Sequence, residues 1–105
     1  MIYIETLKKY YSEEKVFITE HAAERFRQRG IHFKEIREAV NNGIIIEQYP
    51  DDFPFPSCLV LGYNKQGRPI HICMSDEGTS SRIITVYYPD DTKWDSNYKK
   101  RRTEL

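Results

Sequence analysis

The chain has 105 residues, and its 16 Lys+Arg balance 16 Asp+Glu, so the formal charge at pH 7 is zero. With 39% hydrophobic and 30% charged residues, it has the composition and size of one globular domain, and a uniformly cationic nucleic-acid-coating protein is excluded. No apolar run approaches the ~20 residues that span a bilayer. The start, Met1-Ile2-Tyr3-Ile4-Glu5, lacks the charged and apolar regions of a secretory signal, so a cytoplasmic protein is expected. Two cysteines, Cys58 and Cys73, make no disulfide framework.

In chain order, residues 2–11 read as a first helix, with Ile4, Leu7 and Tyr11 at helical spacing. Residues 16–18 are a short extended lead-in. A second helix follows with both ends marked: Thr19 is a natural N-cap, and Gly30 can take the left-handed conformation that closes a last turn. A third helix starts at His32, repeats Phe33, Ile36 and Val40, and stops at Asn41-Asn42-Gly43. Then come four strand candidates, at 44–49, 57–63, 69–75 and 82–88, with Pro50, Pro54 and Pro56 punctuating the loop after the first. The domain divides into an N-terminal helix extension (1–15), a core (16–90) and a C-terminal basic segment (91–105). An α+β fold is expected, with N-terminal helices on one face of a small four-stranded antiparallel sheet and no parallel crossover.

The turn Asn64-Lys65-Gln66-Gly67 permits a register. A hairpin centred between Lys65 and Gln66 pairs Leu59 with Ile72, Leu61 with Ile70, Val60 with His71 and Cys58 with Cys73. Alternation then gives an aliphatic face of Leu59, Leu61, Ile70, Ile72 and Met74, which the helices should cover, and an opposite face of Cys58, Val60, His71 and Cys73. Centring the next turn near Thr79 pairs His71 with Tyr87, Ile72 with Val86, Cys73 with Thr85 and Met74 with Ile84.

At 100° per residue His21, Arg25 and Arg29 share one stripe of the second helix, beside the apolar Ala22, Ala23 and Phe26. An imidazole and two guanidiniums at the edge of a buried face are the groups a phosphate-handling site uses. Lys99-Lys100-Arg101-Arg102 adds a basic run near the C-terminus.

These residues fall into an ordered pattern: His21, Arg25, Arg29, Gly30 and Ile31; Gly43; Arg68, Pro69, Ile70 and His71; Thr85, Tyr87 and Pro89; Trp94; and Arg101 or Arg102. It resembles a bacterial family known as domain of unknown function 4258, over roughly residues 17–102, with Ile70 where the family has Leu. That family is similar in outline to the RelE-type toxins, small mRNA interferases. The resemblance implies a RelE-like fold and a toxin of a toxin–antitoxin pair that cleaves RNA, either free or as ribosome-bound mRNA. It also implies an antitoxin partner that carries a zinc-binding domain in some systems.

Metal-free RNA cleavage needs a base for the ribose 2′-OH, a cation for the crowded phosphate and an acid for the leaving 5′-oxygen. Histidine suits the proton roles, arginine the phosphate, and tyrosine can donate a hydrogen bond or stack on a base. His21 or His71 is therefore cast as base or acid, Arg25 and Arg29 as phosphate clamps, and Tyr87 as acid or orienter. Arg68, Lys99, Lys100, Arg101 and Arg102 are candidate RNA-backbone contacts. Each has a plainer alternative: a structural hydrogen bond for His21, surface pairing for the arginines, a satisfied histidine within a sheet face for His71, a packing anchor for Trp94 and a solvated tail for residues 99–102. A Cys₂His₂ metal set of Cys58, Cys73, His71 and His21 is also conceivable, but lacks a Cys-x-x-Cys pair, and no cofactor is expected. A non-catalytic module that binds RNA or a protein partner is the competing function, and an antitoxin-controlled protein acting on another target is a third.

Overall fold

The structure is a computed structural model and describes residues 1–103; the last two residues of the expected 91–105 segment lie outside it. Eight elements run in order: α1 (Ile4–Ser12), β1 (Val16–Ile18), α2 (Glu20–Gln28), α3 (Phe33–Asn41), β2 (Ile44–Tyr49), β3 (Ser57–Tyr63), β4 (Pro69–Ser75) and β5 (Ser81–Tyr87). The helices form where local signals place them. Thr19 Oγ1 accepts from the Ala22 N–H at 3.1 Å, and Gly30 takes φ 75° just past the end of α2, the left-handed turn glycine adopts without a Cβ penalty. At α3 the Glu35 carboxylate accepts from the His32 N–H at 3.0 Å, occupying a donor that the first turn leaves free.

The expectation of a four-stranded antiparallel sheet is overturned. The sheet has five strands in the order β1-β5-β4-β3-β2, and the lead-in at 16–18 is a strand that pairs parallel to β5, Phe17 opposite Arg82. The first strand thus docks beside the last, a contact between distant parts of the chain that makes the sheet mixed. Among the described residues no helix is long and apolar enough to cross a membrane.

The hairpin register is also one residue off the expected one. Cys58 faces Met74, Leu59 faces Cys73, Val60 faces Ile72, Leu61 faces His71 and Tyr63 faces Pro69. The loop is therefore five residues, 64–68. Asn64 Oδ1 accepts from both Gln66 N and Arg68 N, at 3.0 and 2.9 Å, so one asparagine organises a turn longer than the symmetric one. The slip exchanges the faces of β3. Cys58 and Val60 join Ile70, Ile72 and Met74 in the core, while Leu59 and Leu61 share the opposite face with His71 and Cys73. The β4–β5 register is as expected for His71–Tyr87, Ile72–Val86 and Cys73–Thr85, then slips through a bulge so that Met74 meets Ile83.

The core lies between the sheet and the helices, with Leu7, Phe26, Ile36, Val40, Val60, Ile72 and Met74 each no more than 1% exposed. α3 sits against β3 so closely that a Cβ on Gly62 would stand 1.8 Å from the Ala39 carbonyl oxygen, and one on Gly43 would stand 2.6 Å from the same atom. Two glycines therefore set how near this helix approaches the sheet.

Candidate functional site

The second face of the sheet carries a strap. After β5 the chain turns at Asp90, whose carboxylate accepts from Thr92 N and Oγ1, both at 2.8 Å. It then folds back on itself, with Trp94 bridged to Arg101 and Arg102 N bonded to Lys93 O at 2.8 Å. Tyr98, near the tip, takes φ 62°, uncommon for a residue with a side chain. The strap is tied down at its far end, where Arg101 Nε and NH2 reach the Glu47 carboxylate on β2, each at 3.2 Å.

The strap lies over His71. The imidazole is fully buried, meets the Trp94 ring edge-on at 4.3 Å between centroids, and has Nε2 2.8 Å from the Tyr98 carbonyl oxygen. A carbonyl can only accept, so Nε2 carries the proton; the bare Nδ1 of the neutral ring then accepts from the Tyr87 hydroxyl at 3.2 Å. Burial holds His71 below the ordinary histidine pKa, with the Tyr98 carbonyl partly opposing it. Tyr87 is half-buried; burial pushes its phenol up, while the nearby Arg101 and Arg29 pull it down.

Arg29 reaches the same place from the other layer. Just past α2, its NH1 donates to the Val86 carbonyl at 2.7 Å and approaches Thr85 Oγ1 at 3.4 Å, which fixes the guanidinium at the edge of β5. Arg29, Tyr87, Tyr88, Asp90, Lys93, Trp94 and Arg101 together line a cleft of about 360 Å³. Three cations and three aromatic rings bound it, against the Asp90 carboxylate in the lining and that of Glu47, which pairs with Arg101. Arg101 lies 4.7 Å over the Trp94 ring, a cation–π contact that holds its charge at the cleft wall. Such a cleft can grip a phosphate between guanidinium and ammonium groups.

The candidates thus divide. Arg29, Tyr87 and Arg101 come together in the cleft, with His71 behind Tyr87. His21 and Arg25 are exposed on α2 and lie outside the cleft's lining. Arg68 is not in the lining but stands at its margin: its guanidinium stacks 3.3 Å over the ring of Tyr88, whose hydroxyl donates to Glu35 at 2.8 Å. Lys99 and Lys100 are exposed, and Arg102 donates to the Asp91 carbonyl at 2.6 Å. The conceivable metal set is dispersed by the register, since Cys58 lies in the helix-side core while Cys73 and His71 face the strap; both cysteines are free.

Sequence reasoning missed Lys93 and Tyr88 as cleft residues, and took Trp94 for a packing anchor alone. The signal available was their nearness in sequence to Tyr87 and Arg101. The basic run at 99–102 drew attention instead, and only one of its four residues faces the cleft.

Fold and site together define a small α+β protein with a cationic, aromatic-walled cleft where a helix end, a sheet edge and a C-terminal strap meet. The chain belongs to the family described as Domain of unknown function (DUF4258), whose model matches residues 18–88. That span holds Arg29, His71 and Tyr87; the strap residues Lys93, Trp94 and Arg101 follow it. No curated protein and no solved structure matches the chain.

Proposed function

We propose that the protein binds single-stranded RNA in this cleft and cleaves it without a metal, as a RelE-like toxin held in check by an antitoxin. The observation that carries the reading is the Tyr87 hydroxyl, 3.2 Å from His71 Nδ1, in a cleft it shares with Arg29, Lys93 and Arg101. Tyr87 is the group that can touch substrate, and His71 is the positioning residue behind it. When a ribose 2′-OH gives its proton to the phenol oxygen, the phenolic proton passes to His71 Nδ1. The 2′-oxygen attacks the adjacent phosphorus, a 2′,3′-cyclic phosphate forms, and the P–O5′ bond breaks. A water molecule on the opposite side of the phosphorus protonates the leaving 5′-oxygen, and His71 then returns its proton through Tyr87 to the hydroxide so formed. Arg29 and Arg101 neutralise the charge gathering on the non-bridging oxygens. The Tyr98 carbonyl fixes the tautomer that leaves Nδ1 free to accept.

The complete burial of His71 favours a second reading, in which the dyad is structural and the cleft binds RNA or an acidic protein segment without chemistry. Induced expression separates the two. Wild type should arrest growth and leave mRNA cut with 5′-hydroxyl ends; Tyr87→Phe should slow cutting by about 100-fold or more as loss of a proton-transfer group does, while purified Tyr87→Phe still binds RNA. Cutting that survives Tyr87→Phe removes the catalytic reading.

A further inference from the structure

β1 ends the sheet, and among the described residues it pairs only with β5. The far edge, β2, carries a bulge between Ile45 and Glu47 and is held by Ile2, whose N–H and C=O bond the Gln48 side chain at 3.1 and 2.7 Å. Both are devices that blunt an edge against further pairing. β1 has neither, and apolar surface flanks it on both sides. On the helix side Val16 and Ile18 border a groove of about 370 Å³ completed by Tyr11, Phe33, Lys34 and Arg37, with Phe33 52% exposed. On the other side Phe17 is 51% exposed, beside Arg82, and Arg82 and Ile84 begin a second apolar cleft of about 350 Å³ under Phe53 and Phe55. A strand laid along β1 sends alternate side chains to the two faces; on the helix side they meet the groove bordered by Val16 and Ile18, and on the other they lie beside the exposed Phe17.

Charge identifies the occupant. Lys34 and Arg37 stand at the helix-side groove with no ion pair among the described residues, and the exposed Lys15 leads into the strand. We propose that β1 is a docking edge for an extended segment of a partner protein, apolar at alternate positions and carrying carboxylates on the side that meets Lys34 and Arg37. β1 is only three residues long, so the ladder contributes little and the helix-side groove with its Lys34 and Arg37 must supply selectivity. This surface is separate from the RNA cleft, and the proposal stands or falls independently of it.

The test is a display library of random twelve-residue peptides panned against the full chain, followed by affinity measurements on synthetic copies of the selected peptides. Selected sequences should alternate apolar residues with Asp or Glu, and their affinity should fall by about tenfold or more for Phe33→Ser and for the double variant Lys34→Glu, Arg37→Glu. Lys34 and Arg37 are exposed, so the charge-reversal variant should melt with the wild type; Phe33 meets the buried Phe26 edge-on at 5.2 Å, so Phe33→Ser should melt lower and its affinity is measured well below that melting point. Affinity unchanged in both variants, selected peptides without the alternation, or no selection at all would overturn the proposal. So would a dimer by light scattering that becomes monomeric with Phe17→Asp, because the edge would then belong to a second copy of the chain.

Discussion

At His71 both ring nitrogens are engaged inside the protein, Nε2 toward the Tyr98 carbonyl and Nδ1 toward the Tyr87 hydroxyl. The neutral ring satisfies both partners, whereas an imidazolium would leave buried charge under Trp94. Burial depresses the pKa in the folded chain, so as pH falls the unfolded chain takes up the proton first, near the ordinary value of ~6.5. The stability this histidine contributes is whole above that value and is lost as pH falls through it toward the lower folded pKa. Urea midpoints measured from pH 7.5 to 5 should therefore decline, and His71→Gln should flatten the decline; an identical slope in the variant would place the effect elsewhere. Tyr87→Phe removes one hydrogen bond and leaves Nδ1 without its donor, which should cost about 1 kcal/mol of stability, small enough that a loss of RNA cutting is not a loss of fold. The same residue pair shows why roles were only partly legible. The type of residue was readable at His71 and Tyr87, and the β4–β5 register placed them side by side. Their exposure was not readable, because it depends on a strap with no periodic pattern of its own.

Among the elements, the three helices were legible because apolar spacing marks each, reinforced at α2 and α3 by capping residues. The strands were legible as segments but not as a sheet. β1 has three residues, too few for a period to show, and its partner lies some 65 positions later. The β3–β4 register was misread because both faces of β3 are apolar: Leu59 and Leu61 are 2% exposed beneath the strap side, and Cys58 and Val60 are fully buried beneath the helices. Alternation marks a register only where one face is wet. Gly62 now has a definite place, packed on the Ala39 carbonyl. Gly62→Ala would drive a methyl into backbone that cannot swing aside, and should cost about 3 kcal/mol, the upper part of the ordinary overpacking range, measured by urea denaturation. A loss under 0.5 kcal/mol, the level of an indifferent surface substitution, would mean that α3 lifts off the sheet without penalty.

For the whole molecule, zero net charge and a local cluster of Arg29, Lys93 and Arg101 belong together. A neutral protein has little affinity for phosphate backbone at large, so the proposed RNA binding must come from one place, and salt should weaken it with the shallow slope of two or three contacts. The cleft contains the only tryptophan of the chain, Trp94, buried at 3% exposure between His71 and Arg101. Its fluorescence reports on the cleft and on no other part of the molecule. The most direct measurement is titration of the full chain with a short single-stranded RNA while following Trp94 emission. With RNA seated between Arg29 and Trp94, the emission changes and saturates, the midpoint moves to about tenfold higher RNA with Arg29→Ala, as loss of a charged hydrogen-bonding group implies, and His21→Ala leaves it where it was. RNA that binds by an independent assay while Trp94 emission stays constant, or a midpoint indifferent to Arg29→Ala, would contradict the assignment of this cleft.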